Sequence, residues 1–233
     1  MVNKKFIAII PARGGSKQIK NKNIKKFLGK PLINWTIEAA IKSKVIDKIY
    51  VSTDSKKIVQ VCKKFKDKIS ISNRPKRLSS GNTKMIDVIK EFSKENNLEK
   101  ENLLGLIVLQ PTSPLRISED ISNSCKLFIK HEPDSLISIN EISHIYNPES
   151  IYKKKGIFIK KLNQNKIIPI RQKKPKYFSG NGAAIYITHK KNINKFIVGG
   201  KKIIGYEMPL SRSIDIDTEY DFNLAELTKK YGL

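Results

Sequence analysis

"KFIAIIPARGGSK", Lys5 to Lys17, changes character halfway along. From Phe6 to Ile10 it is a continuous apolar run, stopped by Pro11. A run this short, with no polar alternation, reads as a strand buried on both faces of a sheet. The chain then turns basic and glycine-rich: Arg13, Gly14, Gly15, Ser16 and Lys17, with Lys20 and Lys22 close behind. Next, Ile33, Ile37, Ala40 and Ile41 share one helical face. A strand, a polar loop and an amphipathic helix make one βα unit.

The same unit recurs. "DKIYVSTD" is a strand closed by Ser52, Thr53 and Asp54, and Ile58, Val61, Cys62 and Phe65 follow at helical spacing. "KISIS" leads to the turn at Arg74 and Pro75, then to a helix carrying Met85, Val88, Ile89 and Phe92. "LGLIVLQ" is another apolar strand, after which Ser118 is expected to cap a helix with Glu119 and Asp120 in its first turn. "SLISI" and, later, "AAIYIT" read as further strands, and "TEYDFNLAELTKK" as a closing helix capped by Thr218 and Asp221. Alternation of this kind predicts an α/β fold, a mostly parallel sheet with helices on both faces. Ligands of such sheets lie beyond the carboxyl ends of the strands. The Arg13 loop, "STD" and "QPTSPLR" all follow strands, so they are expected to converge on one edge.

Between about Glu141 and Lys176 the rhythm breaks into short β-like pieces, "SIYKK" and "GIFIKKL". That stretch, residues 141–176, reads as an insertion of short strands in an otherwise single domain of residues 1–233.

Composition narrows the function classes. The 233 residues carry a formal charge of +25, with 39% hydrophobic residues, enough for a core. A nucleic-acid binder would gather its lysines into a stripe with aromatic residues between them. Here they recur on every expected helix and in most loops, which reads as a solvated basic surface that attracts small anions. No apolar run is long enough to span a bilayer, and the N-terminus has no signal-peptide pattern. Cys62 and Cys125 fall at apolar helical positions and read as reduced core residues of a cytoplasmic protein.

Two constellations carry chemistry. Glycines beside a strand end let backbone N–H groups approach an anion, and Arg13 can donate two parallel hydrogen bonds to a phosphate. Ser16 adds a hydroxyl; Lys17, Lys20 and Lys22 add point charges. The loop thus suits a polyphosphate, or else it is a tight turn bearing surface lysines. In "SIDIDTEYDF", Asp215 and Asp217 flank Ile216. In an extended segment both carboxylates lie on one face, opposite Ile216. They form either a site for a hard cation such as Mg²⁺ or an acidic turn before a helix. The stiff loop "LQPTSPLR" offers Gln110, Thr112, Ser113 and Arg116 to a polyol. "PIRQKKPKYFSGNGAAIYI" places Arg171, Gln172, Asn181 and Gly182 ahead of a strand.

In this order, "IIPARGGSK…KNKNI", "GKPLI", "VSTD", "RP", "LQPTSPLR", "RQ…P…NGAAIYI" and "SIDIDTEYDF" resemble the acylneuraminate cytidylyltransferases, nearly from end to end. The resemblance implies a Rossmann-like three-layer domain with a mostly parallel sheet and a small inserted dimerisation lobe, residues 141–176. It implies a homodimer that takes CTP and an acidic nine-carbon 2-keto sugar to a CMP-sugar and pyrophosphate, with Mg²⁺ as cofactor. It implies no nucleic-acid partner and no membrane. By position, Arg13, Lys22, Asp215 and Asp217 would be catalytic, and Asp215 and Asp217 would hold the metal. Ala12, Arg13, Ser16, Lys17, Asn23, Thr83, Gln110, Arg171 and Asn181 would bind the substrates. Where the family often has Asp-Thr after "RP", this chain reads Gly81-Asn82-Thr83, and Ser179-Gly180 replaces the Arg-Pro that some members carry before "NG". The sugar stays open among sialic, legionaminic, pseudaminic and ketodeoxyoctonic acids.

Overall fold

Six of the seven residues of β1 (Lys5–Pro11) are buried, because β1 runs through the interior of an eight-stranded sheet in the computed structural model. The structure describes residues 5–16, 18–162, 175–182, 184–195 and 197–232. A hairpin of β2 (Lys26–Phe27) and β3 (Lys30–Pro31) leads into α1 (Leu32–Ser43). Then come β4 (Lys48–Thr53), α2 (Lys56–Cys62), β5 (Ser70–Asn73), α3 (Met85–Glu95), β6 (Leu103–Val108), α4 (Ser118–His131) and β7 (Ser135–Glu141). A second hairpin, β8 (Tyr152–Lys155) and β9 (Phe158–Lys161), stands apart from the main sheet. β10 (Phe178–Gly180), β11 (Tyr186–His189), β12 (Ile203–Glu207) and α5 (Glu219–Tyr231) complete the chain.

β1 pairs in parallel with β4 and with β6, β4 with β5, and β7 with β12. Among the described strands of this sheet, only β10 and β11 run against their neighbours. The sheet is therefore mostly parallel, as expected. β10 and β11 face successive halves of β7, with Asn181, Gly182, Ala184 and Ile185 between them outside the strands. Ala183, where the strand was expected to begin, lies outside the described residues, and β11 starts at Tyr186.

The pleat of β1 separates two cores. Phe6, Ala8 and Ile10 pack with Ile33 and Ile37 of α1, Ile58 of α2, and Ile121 and Phe128 of α4. Ile7 and Ile9 point the other way, to Ile89 and Phe92 of α3. Helices thus cover both faces, which is why the strand has no polar alternation. Cys62 and Cys125 are buried and free, and burial pushes their thiols up to about 11 and about 12, leaving them protonated and inert.

A third cluster joins segments distant in sequence. Ile19 from the first loop, Phe27, Leu32, Leu115, Ile216 and Phe222 pack together, with Phe27 edge-on to both Trp35 and Phe222. Ile216 is fully buried there, a contribution of about 2 kcal/mol by area. Thr218 and Asp221 cap α5 reciprocally, as expected. At α4 the cap differs: Ser118 is the first helical residue and Ile117 occupies the cap position. The side chain of Asp120 accepts the Ile117 N–H at 3.0 Å, the half of a capping box that the third helical residue supplies. Among the described residues no helix is long and apolar enough to cross a membrane.

Candidate active site

The carboxyl ends of β1, β4, β5 and β6 lie side by side, so their following loops meet as expected. Between them is a cleft of about 380 Å³. Arg13, Ser16, Lys22, Asn23, Gln110 and Asp217 all line it, drawn from three remote parts of the chain.

Backbone pinning shapes the first loop. The Ala12 N–H donates to the Ser52 carbonyl at 2.9 Å, and the Gly14 N–H donates to Asp54 Oδ1 at 2.8 Å. A Cβ on Gly14 would lie 2.8 Å from the Ser55 Cβ, so only glycine allows this approach. Asn23 Nδ2 donates to the Arg13 carbonyl at 3.0 Å. The loop is thereby held at both ends while the Arg13 guanidinium has no hydrogen-bond or ion-pair partner among the described residues. The Ala12 side chain is fully buried in the core and does not line the cleft.

Lys22 reaches across to the acidic segment. Its Nζ donates to the Ile216 carbonyl at 2.6 Å and to Asp217 Oδ1 at 3.1 Å. The lysine therefore joins the basic loop to the carboxylates as well as facing the cleft. The Ile216 N–H donates to the Thr112 carbonyl at 2.8 Å, fixing the "QPTSPLR" loop to the same segment.

Asp215 and Asp217 differ sharply. Asp217 is exposed at the cleft, whereas Asp215 is half-buried and is not among the lining residues. Asp215 Oδ1 is buried with no hydrogen-bond partner among the described residues. Burial raises its carboxyl to about 6; a Thr112 hydrogen bond and Lys22 oppose the rise, and the Asp217 charge adds to it. An orphaned buried carboxylate oxygen beside a second carboxylate suits a cation. No group of three or more His, Cys, Asp or Glu forms a metal cluster among the described residues. Two carboxylates match an ion that completes its shell from water and phosphate oxygens, so these residues fit Mg²⁺.

Arg74 belongs to the cleft and was not singled out from the sequence. It follows β5 directly, is 6% exposed, and donates to Ser52 Oγ at 3.3 Å and the Ser52 carbonyl at 3.1 Å. Burial pulls its guanidinium down to about 10; Asp54 opposes this and the nearby Arg13 charge reinforces it. Two guanidiniums that line one cleft and repel each other favour a polyanion between them. The signal was a polar residue at a strand's carboxyl end, masked by its resemblance to an ordinary Arg-Pro turn.

Other expected contacts lie elsewhere. Thr83 is half-buried, shares a 2.9 Å hydrogen bond with Ser80, and does not line the cleft, although Met85 does. Asn181 is 3% exposed and its amide is consumed by Ser138, Ser213 and Met208, so it faces protein and not the cleft. Arg116 is not presented to a polyol. It is buried, donating to the Ala184 carbonyl at 2.6 Å and to Thr36 Oγ1 at 2.7 Å, and so braces the loop that displays Gln110. Lys17 and Arg171 lie outside the described residues.

The chain is 33% identical over 221 residues to the N-acylneuraminate cytidylyltransferase of Streptococcus agalactiae serotype III, covering 94% of this chain and 52% of that protein. It is 33% identical over 230 residues to the enzyme of the same name from Escherichia coli O18:K1:H7, covering 95% of this chain and 51% of that protein. The chain spans about half the length of these curated relatives. A structure titled CMP:2-keto-3-deoxy-manno-octonic acid synthetase complexed with CTP superposes with a TM-score of 0.71 over 99% of this chain and all of that one. At 16% identity this likeness shows a shared fold. A family model described as cytidylyltransferase matches residues 7–229. On that match, which spans the sheet, the basic loop and the paired aspartates, the chain belongs to the cytidylyltransferase family.

Proposed function

We propose that this chain transfers the cytidylyl group of CTP to the anomeric hydroxyl of an acidic nine-carbon 2-keto sugar, releasing pyrophosphate. The observation that carries the reading is the cleft itself. Arg13 and Arg74 both line it, the Arg13 guanidinium without a hydrogen-bond or ion-pair partner among the described residues, and the Asp215–Asp217 segment is tied to the same loop through Lys22. In the reaction the hydroxyl oxygen bonds to the α-phosphorus, the bond from that phosphorus to the bridging oxygen of the β-phosphate breaks, and the hydroxyl proton is lost. Such a transfer needs in-line positioning and neutralised charge on the departing pyrophosphate.

Arg13 and Arg74 would grip phosphate oxygens, with Ser16 and Asn23 lining the same wall. Lys22 would hold the loop against the carboxylates and lend its charge to the phosphates. Gln110, on the opposite loop, would face the sugar. Asp215 and Asp217 would hold Mg²⁺, which when bound supplies a Lewis acid that neutralises the triphosphate. The names of the curated relatives favour a sialic-acid-type sugar. Two buried free thiols are compatible with a cytoplasmic enzyme using cytoplasmic CTP.

A panel of sialic, legionaminic, pseudaminic and ketodeoxyoctonic acids, each against the four nucleoside triphosphates with Mg²⁺, tests the proposal by pyrophosphate release. CTP with at least one sugar acid is expected to turn over. Release with none, or better release with UTP or ATP, overturns it.

We propose also that two copies pair through the 141–176 lobe. Its β8–β9 hairpin exposes Ile157, Phe158 and Ile159 at 87%, 76% and 62%, an apolar tip that a monomer would leave in water. Light scattering is expected to give a dimer mass for the wild type and a monomer mass for Phe158→Asp with unchanged circular dichroism. A wild-type monomer, or an undisturbed variant dimer, removes the lobe from that role.

A further inference from the structure

We infer that the Asn181–Gly182 pair is the seat of the Asp215 carboxylate, with glycine required at 182 because the carboxylate group occupies the place of a side chain. The assignment of metal binding to Asp215 rests on the function proposed above; the seat itself rests on geometry.

A Cβ built on Gly182 would lie 2.1 Å from Asp215 Cγ, and 2.3 Å from both its Cβ and its Oδ2. Those separations are far inside van der Waals contact, so Asp215 lies directly on the glycine backbone. Gly182 also has φ +68°. Asn181 fixes the glycine beneath the acidic segment. Its Oδ1 accepts from Ser138 Oγ at 2.6 Å, which ties it to β7, and its Nδ2 donates to Ser213 Oγ at 3.0 Å, two residues before Asp215. Ser138 Oγ accepts the Ile185 N–H at 2.8 Å. One serine of β7 thereby clamps both ends of the break between β10 and β11, and the break projects Gly182 under the aspartate.

This accounts for the carboxylate's condition. Seated on the glycine, Asp215 is held in a half-buried position with Oδ1 left unpartnered. An oxygen kept free in a fixed place is a prepared ligand. It also gives "NG" a role different from touching substrate: Asn181 and Gly182 are positioning residues that act through Asp215.

Two substitutions separate this from a glycine needed only for its backbone angle. Gly182→Ala adds a Cβ and is strained at positive φ. Gly182→Asn adds the same Cβ, but asparagine tolerates that region, so the variant avoids most of the backbone strain and isolates the clash. The first readout is Mn²⁺ binding by the protein alone, from loss of the free-ion EPR signal. Both variants are expected to bind Mn²⁺ about tenfold more weakly, as for loss of a residue that orients a metal ligand. The Mg²⁺ concentration for half-maximal activity should rise in step while the sugar KM stays put. Wild-type Mn²⁺ affinity in Gly182→Asn would show that only the backbone angle matters and would overturn the seat. The second readout is the crystal structure of Gly182→Asn, in which the Asp215 carboxylate should be displaced while Ile216 stays buried. An unmoved Asp215 overturns the inference. If instead wild type and Asp215→Asn bind Mn²⁺ alike, the metal reading fails, and the crystal structure still decides the seat.

Discussion

Arg13→Ala is expected to lower kcat/KM by about a hundred- to a thousand-fold, roughly 2–4 kcal/mol, with the fold intact. The guanidinium has no protein partner among the described residues, so its removal leaves no orphaned group behind. Its charge pushes the Arg74 guanidinium down. Removing it relieves that repulsion, and the melting temperature should stay level or rise. Asn23 bonds to the Arg13 backbone carbonyl, which alanine keeps, so the loop should hold its shape. The loss belongs to the transition state because negative charge gathers on the departing pyrophosphate, where a charged donor binds more strongly than in the ground state. Steady-state kinetics with CTP as the varied substrate, alongside circular dichroism, make the check. Kinetics within threefold of wild type would return the loop to a turn decorated with basic side chains.

Asp215→Asn is expected to lower activity and to raise stability. The amide keeps one oxygen but loses the charge that Mg²⁺ requires, so the rate should fall at least about a hundredfold and the Mg²⁺ requirement rise. Stability moves the other way in metal-free protein. The folded carboxyl titrates at about 6, above its ordinary value of 3.8, because burial disfavours the charged form. Above pH 6 the charged, half-buried carboxylate therefore costs stability, about 2–3 kcal/mol before solvent screening reduces it. That cost disappears as pH falls from about 6 towards 4. The asparagine variant does not pass through this window: at pH 7.5 without metal it should melt a few degrees above wild type, and at pH 4 the difference should vanish. Thermal melts at both pH values, with and without Mg²⁺, test this. Equal melting at pH 7.5 together with an unchanged Mg²⁺ dependence would dismiss Asp215 as a strained metal carboxylate.

The βα alternation was readable because burial on both faces of a parallel strand demands unbroken apolar runs such as Phe6–Ile10, and a helix on a sheet demands a 3.6-residue stripe such as Ile33, Ile37 and Ala40. Both are local rules. The convergence of the Arg13 loop with "QPTSPLR" was readable too, since each follows a parallel strand and all such strands end at the same edge. The alternation Asp215–Ile216–Asp217 correctly put Ile216 in the core.

What tertiary structure decided were the matters of partnership. Arg74, Arg116 and Arg13 are the same residue type, each in a polar loop after a strand. The sequence does not distinguish them, because their fates depend on what lies across the gap: Arg116 meets the Ala184 carbonyl and Thr36 and becomes a brace, Arg74 meets Ser52 at the cleft wall, and the Arg13 guanidinium has no partner among the described residues. Asn181 looked like a donor to a ligand and is instead spent on Ser138 and Ser213. Periodicity records which way a side chain points from its own strand or helix. A hydrogen bond or a close approach joins residues dozens of positions apart, as Gly182 and Asp215 are joined, and that pairing exists only once the sheet has brought their loops together.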